Sequence, residues 1–198
     1  MGRPIAFDRH TVLNNALALF WSRGFAASSL RQLEEVTELN PGSLYYHFTN
    51  KELLFQATLR HYVDHPLSAR ISKNLSTGNP LEGIRRFLTS GYRHREEEQF
   101  KNCCFLACAC TELPLLPDTT IELINSGIGI IRSGFQQQLE RACKGGLVAS
   151  PRSSESLSLE LSNLYLALQL LARARPNQKQ LDDTVRQSLN HLLNQQVS

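Results

Sequence analysis

The chain has 198 residues, of which 41% are hydrophobic, and a formal net charge of +3. That length holds a small domain plus a larger one, and no apolar run is long enough to span a bilayer. Five cysteines, four of them clustered, do not make a secreted disulfide framework. With no signal-peptide core after Met1-Gly2-Arg3-Pro4, the expectation is a cytoplasmic protein with reduced thiols. The first fifty-one residues carry Arg3, Arg9, Arg23, Arg31 and Lys51 against Asp8, Glu34, Glu35 and Glu38. Such a balance argues nothing about nucleic acid by itself.

In chain order, Met1 to Phe7 read as a polar terminal arm. The plain reading is disorder; the sharper one has Arg3 entering a DNA minor groove. From Asp8 to Arg23, Val12, Leu13, Ala16, Leu17, Phe20 and Trp21 recur at helical spacing, with Asp8 as start and Gly24 as stop. Trp21 falls on the core side. Ser29 followed by Gln32 is a capping box, opening a short helix with Leu30, Leu33 and Val36 on one face. The chain breaks at Glu38-Leu39-Asn40-Pro41-Gly42 and restarts as a very short helix through Phe48, with Leu44 and Phe48 as anchors. Asn50 is placed to cap the next helix at Lys51. Two short helices around a tight turn make a helix-turn-helix.

The residues Gly24-Phe25, Ser28-Ser29-Leu30, Asn40 to Phe48 and Asn50-Lys51-Glu52-Leu53-Leu54 resemble the DNA-binding domain of the TetR family of transcriptional repressors. The resemblance covers the first quarter of the chain. One position departs: the family usually has Gly in the turn where this chain has Glu38, which costs on the order of 1 kcal/mol if φ is positive there. The start of the second helix would approach the groove, so Asn40, Pro41, Gly42 and Ser43 are candidates for base or phosphate contact, and Ser28 and Ser29, at the start of the first helix, are counted with them. Tyr45, Tyr46 and His47 face outward in turn along it, and the family likeness implies backbone or base contacts for Tyr45 and His47 and a phosphate contact for Lys51. Against this, Tyr45 and Tyr46 could serve domain packing alone.

Beyond the motif, a long helix is expected from Lys51 to about Leu75, kinked at Pro66, then a loop over residues 76–80. Leu81 to Glu98 reads as a helix ending in a solvated charged run. Asp118 is expected to cap a long helix ending at Gly145-Gly146, whose Gly127, Gly129 and Gly134 suggest close packing or softness. A helix from Ser154 to Arg173 is apolar on two faces: Leu157, Leu161, Leu164, Leu168 and Leu171 on one, and Leu159, Leu166 and Leu170 on another. It therefore needs two neighbours, one of them plausibly a second copy of the chain. After Pro176-Asn177 a last amphipathic helix carries Leu181, Val185, Leu189, Leu192 and Leu193. No strand is expected.

The cysteines Cys103, Cys104, Cys108 and Cys110 read first as small buried apolar residues, second as thiol sensors and third as a metal site, since no Cys-x-x-Cys pair is present. The segment Asn102 to Leu113 also resembles a stretch that lines the effector cavity in some TetR-like regulators. On that likeness Tyr92, Cys104, Cys108, Glu112, Phe135 and Tyr165 are effector candidates, although each is an ordinary core residue when taken singly. The resulting expectation is an all-α chain, with a three-helix DNA-binding domain at 1–50 and a larger helical effector-binding and dimerisation domain at 51–198. It would bind a palindromic double-stranded operator as a homodimer and release it on binding a small-molecule effector, needing no cofactor or metal. The alternative is a regulator switched through its cysteines. No nucleophile–base set, phosphate loop or metal triad supports an enzyme.

Overall fold

A computed structural model describes residues 8–76, 78–93, 103–148, 152–174 and 177–194. Among them the regular structure is helical throughout. The first three helices are α1 (Arg9–Arg23), α2 (Leu30–Thr37) and α3 (Pro41–Phe48). Asp8 caps α1 by accepting from the His10 and Thr11 amides, and Gly24 ends it at φ 86, a conformation that Gly adopts without Cβ strain. Ser29 and Gln32 close the reciprocal capping box on α2. Asn40 caps α3 through the Ser43 amide at 2.8 Å, with Pro41 in the first turn where its missing N–H costs nothing. The turn between α2 and α3 does place Glu38 in the left-handed region, at φ 57 and ψ 23.

Six residues of α1 (Val12, Leu13, Ala16, Leu17, Phe20 and Trp21) are buried against Leu33, Leu44 and Phe48 and against the next helix, α4 (Lys51–Tyr62). Asn50 caps α4 through the Leu53 amide. Phe20 meets Phe55 edge-on at 5.0 Å. Each such fully buried aromatic contributes roughly 1.5–3 kcal/mol. After Tyr62 the chain widens into a π-helical turn, Val63–Leu67, and continues as α5 (Ser68–Leu75). Pro66 sits inside that turn and has no N–H for the carbonyl four residues back, so the i→i+4 ladder cannot run through it.

The larger unit contains α6 (Pro80–Ser90), α7 (Phe105–Cys110), a 3₁₀ turn (Leu113–Leu115), α8 (Asp118–Lys144), α9 (Ser154–Arg173) and α10 (Gln178–Asn194). Three expectations need correction or limits here. Helix α6 stops at Ser90 with Gly91 as its cap, eight residues short of Glu98, and residues 94–102 lie outside the described residues. Asp118 is the first residue inside α8 rather than its cap; Pro117 holds the cap position, without a side-chain hydrogen bond. Pro176 lies outside the described residues, with Asn177 just before α10. Two of the three α8 glycines are close-packing sites. A Cβ on Gly127 would stand 2.7 Å from Leu106 Cδ1, and one on Gly134 3.0 Å from Leu75 Cδ1; Gly129 faces open space. Helix α9 buries Leu157, Leu161 and Leu168 and leaves Leu159, Leu170 and Leu171 between 42% and 53% exposed.

Candidate nucleic-acid interface and effector cleft

Helix α3 is fixed at both ends and turned outward between them. Leu44 and Phe48 are its buried anchors, while Tyr45 and Tyr46 are 49% and 84% exposed. Asn40, Pro41 and Gly42 are exposed at its start, Ser43 is half-buried, and Ser29 is exposed at the start of α2. His47 is half-buried with its ring edge-on to Tyr46 at 5.0 Å. Ser28 departs from the expected face. It is 1% exposed and its hydroxyl donates to the Gly24 carbonyl at 2.6 Å, so it braces the α1–α2 loop. Arg3 lies outside the described residues.

Lys51 opens α4 beside the same loop. Its ammonium lies 4.4 Å from the Phe25 ring centre and 3.5 Å from the Ala26 carbonyl. Partial burial lowers its pKa, and the Glu112 carboxylate opposes that shift. Glu112, expected among the effector residues, instead reaches across to the loop that follows α1. Its carboxylate accepts from the Phe25 amide at 2.6 Å and from the Ala26 amide at 2.9 Å. A Cβ on Gly24 would lie 2.7 Å from this carboxylate, so Gly24 is needed for approach as well as for φ. The sequence signal for this tie was weak, because the partners are 86 and 87 residues apart.

The other effector candidates form packed interior. Tyr92 donates to Asp182 at 2.8 Å, with its own pKa pushed up by burial. Tyr62 donates to Cys104 Sγ at 3.3 Å, and Phe135 lies edge-on to Phe87 at 5.4 Å. Tyr165 accepts from Arg70 Nη1 at 3.0 Å. Arg70 was missed at the sequence level. Its guanidinium also donates to Ser90 Oγ and to the Phe87 carbonyl, and it lies 4.5 Å over the Phe87 ring.

Arg70 opens onto a cleft of ≈ 630 Å³ lined by Leu17 and Trp21 of α1, by Tyr62, Pro66 and Lys73, and by Ser90, Arg93 and Cys103. None of the six effector candidates is among the lining residues, although Tyr165 holds Arg70 in place. Arg70, Lys73 and Arg93 give the lining three cations, and no carboxylate belongs to it; Arg93 stands 4.0 Å from Asp182 outside it. The walls belong to α1 on one side and to α5–α6 on the other.

The thiols pair differently from a helical count. Cys103 precedes α7, and its sulfur lies 2.8 Å from that of Cys108, both reduced. The Cys108 thiol hydrogen bond, with Arg173 as a second cause, brings Cys103 down to about 7, while Cys108 is raised by the same contact and by burial. Cys104 is fully buried and Cys110 half-buried.

A capped, outward-facing recognition helix on a three-helix unit, joined to an all-helical body, is the architecture of a helix-turn-helix DNA-binding regulator. Residues 12–58 match the model for bacterial regulatory proteins of the tetR family. The Escherichia coli HTH-type transcriptional repressor ComR is 49% identical over 63 residues, 32% of this chain and 30% of that protein. The match to that repressor thus spans less than a third of its length. The Bacillus subtilis HTH-type regulator YezE, itself uncharacterised, is 24% identical over 97% of this chain and 100% of its own. Among solved structures, a cysteine mutant of the TetR family transcriptional regulator CifR, in complex with 26-base-pair double-strand operator DNA, is 26% identical with a TM-score of 0.79. That likeness covers 95% of this chain and 98% of the other. Together these likenesses support membership of the TetR family. No described helix is long and apolar enough to cross a membrane.

Proposed function

We propose that the protein is a homodimeric repressor that binds a pseudo-palindromic operator and releases it when a small molecule enters the cleft beside Trp21 and Arg70. The observation that carries the reading is the presentation of α3, with Tyr45 and Tyr46 held clear of the core between two capped ends. Two copies would set their recognition helices about 34–36 Å apart, one in each of two successive major grooves. Asn40 to Ser43 and Tyr45 to His47 would meet bases and phosphates, and Lys51 would add a phosphate contact. The exposed Leu159, Leu170 and Leu171 supply an apolar strip for pairing α9 and α10 with their symmetry mates. The CifR complex with operator DNA and the repressor designation of ComR agree with this reading.

The effector is an anion with an apolar body. Arg70, Lys73 and Arg93 favour a carboxylate or phosphate, and Trp21, Leu17 and Pro66 favour carbon beside it. Because one wall is α1, occupancy would push the DNA-binding unit relative to α5–α6. A ligand preferring the displaced state weakens operator binding by that preference and no more. A thiol switch at Cys103 and Cys108 is the secondary reading. Replacing both with Ser should leave ligand-driven release intact. Footprinting on the DNA flanking its own gene tests the main reading. A protected pseudo-palindrome that is lost with the monomerising variant Leu170→Asp is expected, whereas protection by a monomer would overturn the dimer.

A further inference from the structure

Outside both sites, three histidines from three elements meet in an open cleft of ≈ 370 Å³. His10 stands in the first turn of α1, His61 in the last turn of α4 and His65 in the π-helical turn. One ring nitrogen from each lies within 4.8 Å of the other two. The ring centres are 4.7 Å apart for His61 and His65, 4.8 Å for His10 and His61, and 5.1 Å for His10 and His65. We propose that His10, His61 and His65 bind one divalent transition-metal ion of the imidazole-preferring kind, such as Zn²⁺, Co²⁺ or Ni²⁺, clamping α1 to the junction of α4 and the π-helical turn.

The chemistry of the set supports this. His61 is buried, and its Nε2 is 2.8 Å from Asn14 Oδ1. An amide oxygen only accepts, so Nε2 carries the proton and Nδ1 keeps its lone pair, the tautomer and outer hydrogen bond that metal-bound histidines use. The NH₂ end of the same Asn14 amide donates to His10 Nδ1 at 3.0 Å, a contact that the exposed His10 ring gives up when it turns to ligate. With metal–nitrogen bonds of about 2.0–2.1 Å, tetrahedral ligand atoms stand about 3.4 Å apart. The rings therefore close by about 1.4 Å at most around the fixed His61, a rotation that the exposed His10 and His65 can make. Among the charged neighbours lining the cleft, Asp64 favours a cation, and Arg9 is turned onto the Phe48 ring at 5.1 Å, leaving Arg60 on the rim. His65 follows His61 by four residues, the spacing that sets two helical side chains on one face, here the one that meets His10 of α1.

The site does not depend on the operator reading, and its test needs no DNA. Tag-free full-length protein, stripped with chelator, is titrated with Co²⁺ and then with Zn²⁺. One equivalent of Co²⁺ per chain is expected, with visible ligand-field bands, no near-ultraviolet thiolate-to-metal band, and displacement by Zn²⁺. The exposed-site variants His10→Ala and His65→Ala should each weaken binding at least about 100-fold, and Asn14→Ala about 10-fold. Zn²⁺ should raise the parent Tm by about 5 °C and leave those of the two His variants unmoved. A thiolate band, affinity unchanged in both His variants, or no saturable binding by about 100 μM would overturn the site.

Discussion

Replacing Glu112 tests whether the two parts of the molecule are tied as the structure shows. Its carboxylate receives two backbone amides of the loop leading into the helix-turn-helix, at 2.6 and 2.9 Å, and faces the Lys51 ammonium. Hydrogen bonds to a charged acceptor are worth about 1.5–3 kcal/mol each, and the half-exposed position argues for the lower end. Glu112→Ala should therefore cost about 2–4 kcal/mol. For a chain of this size that is a Tm decrease of about 5–12 °C. Glu112→Gln keeps the shape but sets an NH₂ against an amide N–H, so it should recover less than half of the loss. Denaturant melts of parent, Gln and Ala variants give the stability, and operator affinity measured well below the melt gives the effect on the recognition unit. Freed from its anchor, α3 is expected to bind the operator about tenfold less tightly. Melts within 0.5 kcal/mol of the parent, with operator affinity unchanged, would refute the tie.

Glu38→Gly should raise stability by about 0.5–1 kcal/mol, because Glu38 holds φ 57, whereas Glu38→Ala should change nothing; paired denaturant melts decide. Gly83→Ala should cost about 1–3 kcal/mol without touching operator affinity, since its Cβ would stand 2.7 Å from the Asn74 carbonyl and force α6 off α5; calorimetry checks it. Alkylation of Cys103 should rise through a midpoint of about 7, and Cys108→Ala should move that midpoint upward by removing the stabilising S–H donor; an unmoved midpoint would break the assignment.

What the chain made readable in advance was local. The capping box Ser29–Gln32, Asn40 with Pro41, and Asn50 before Lys51 act within three or four residues, so the recognition unit could be placed to the residue. Pro66 likewise announced the interruption of the long helix, though not its π-helical form. Contacts between distant segments were hidden. Glu112 looked like a pocket residue because its partners lie 86 and 87 positions away, in the loop after α1, and Arg70 carries no motif at all. Ser28, beside an exposed cap, turned inward to bond Gly24. Helical spacing puts Cys104 with Cys108 and Cys103 with Cys110, whereas Cys103 precedes the helix and meets Cys108. His10 and His65 are 55 positions apart, and only the packing of α1 on α4 unites them.

The most direct test of the central claim is operator affinity across a salt series for the parent and for Lys51→Ala. The account predicts saturable, sequence-selective binding whose log–log salt slope is steep. It also predicts that Lys51→Ala lowers the magnitude of that slope by about 2 per dimer, one phosphate contact from each copy. Binding that is indifferent to sequence, with the same slope in parent and variant, would contradict it.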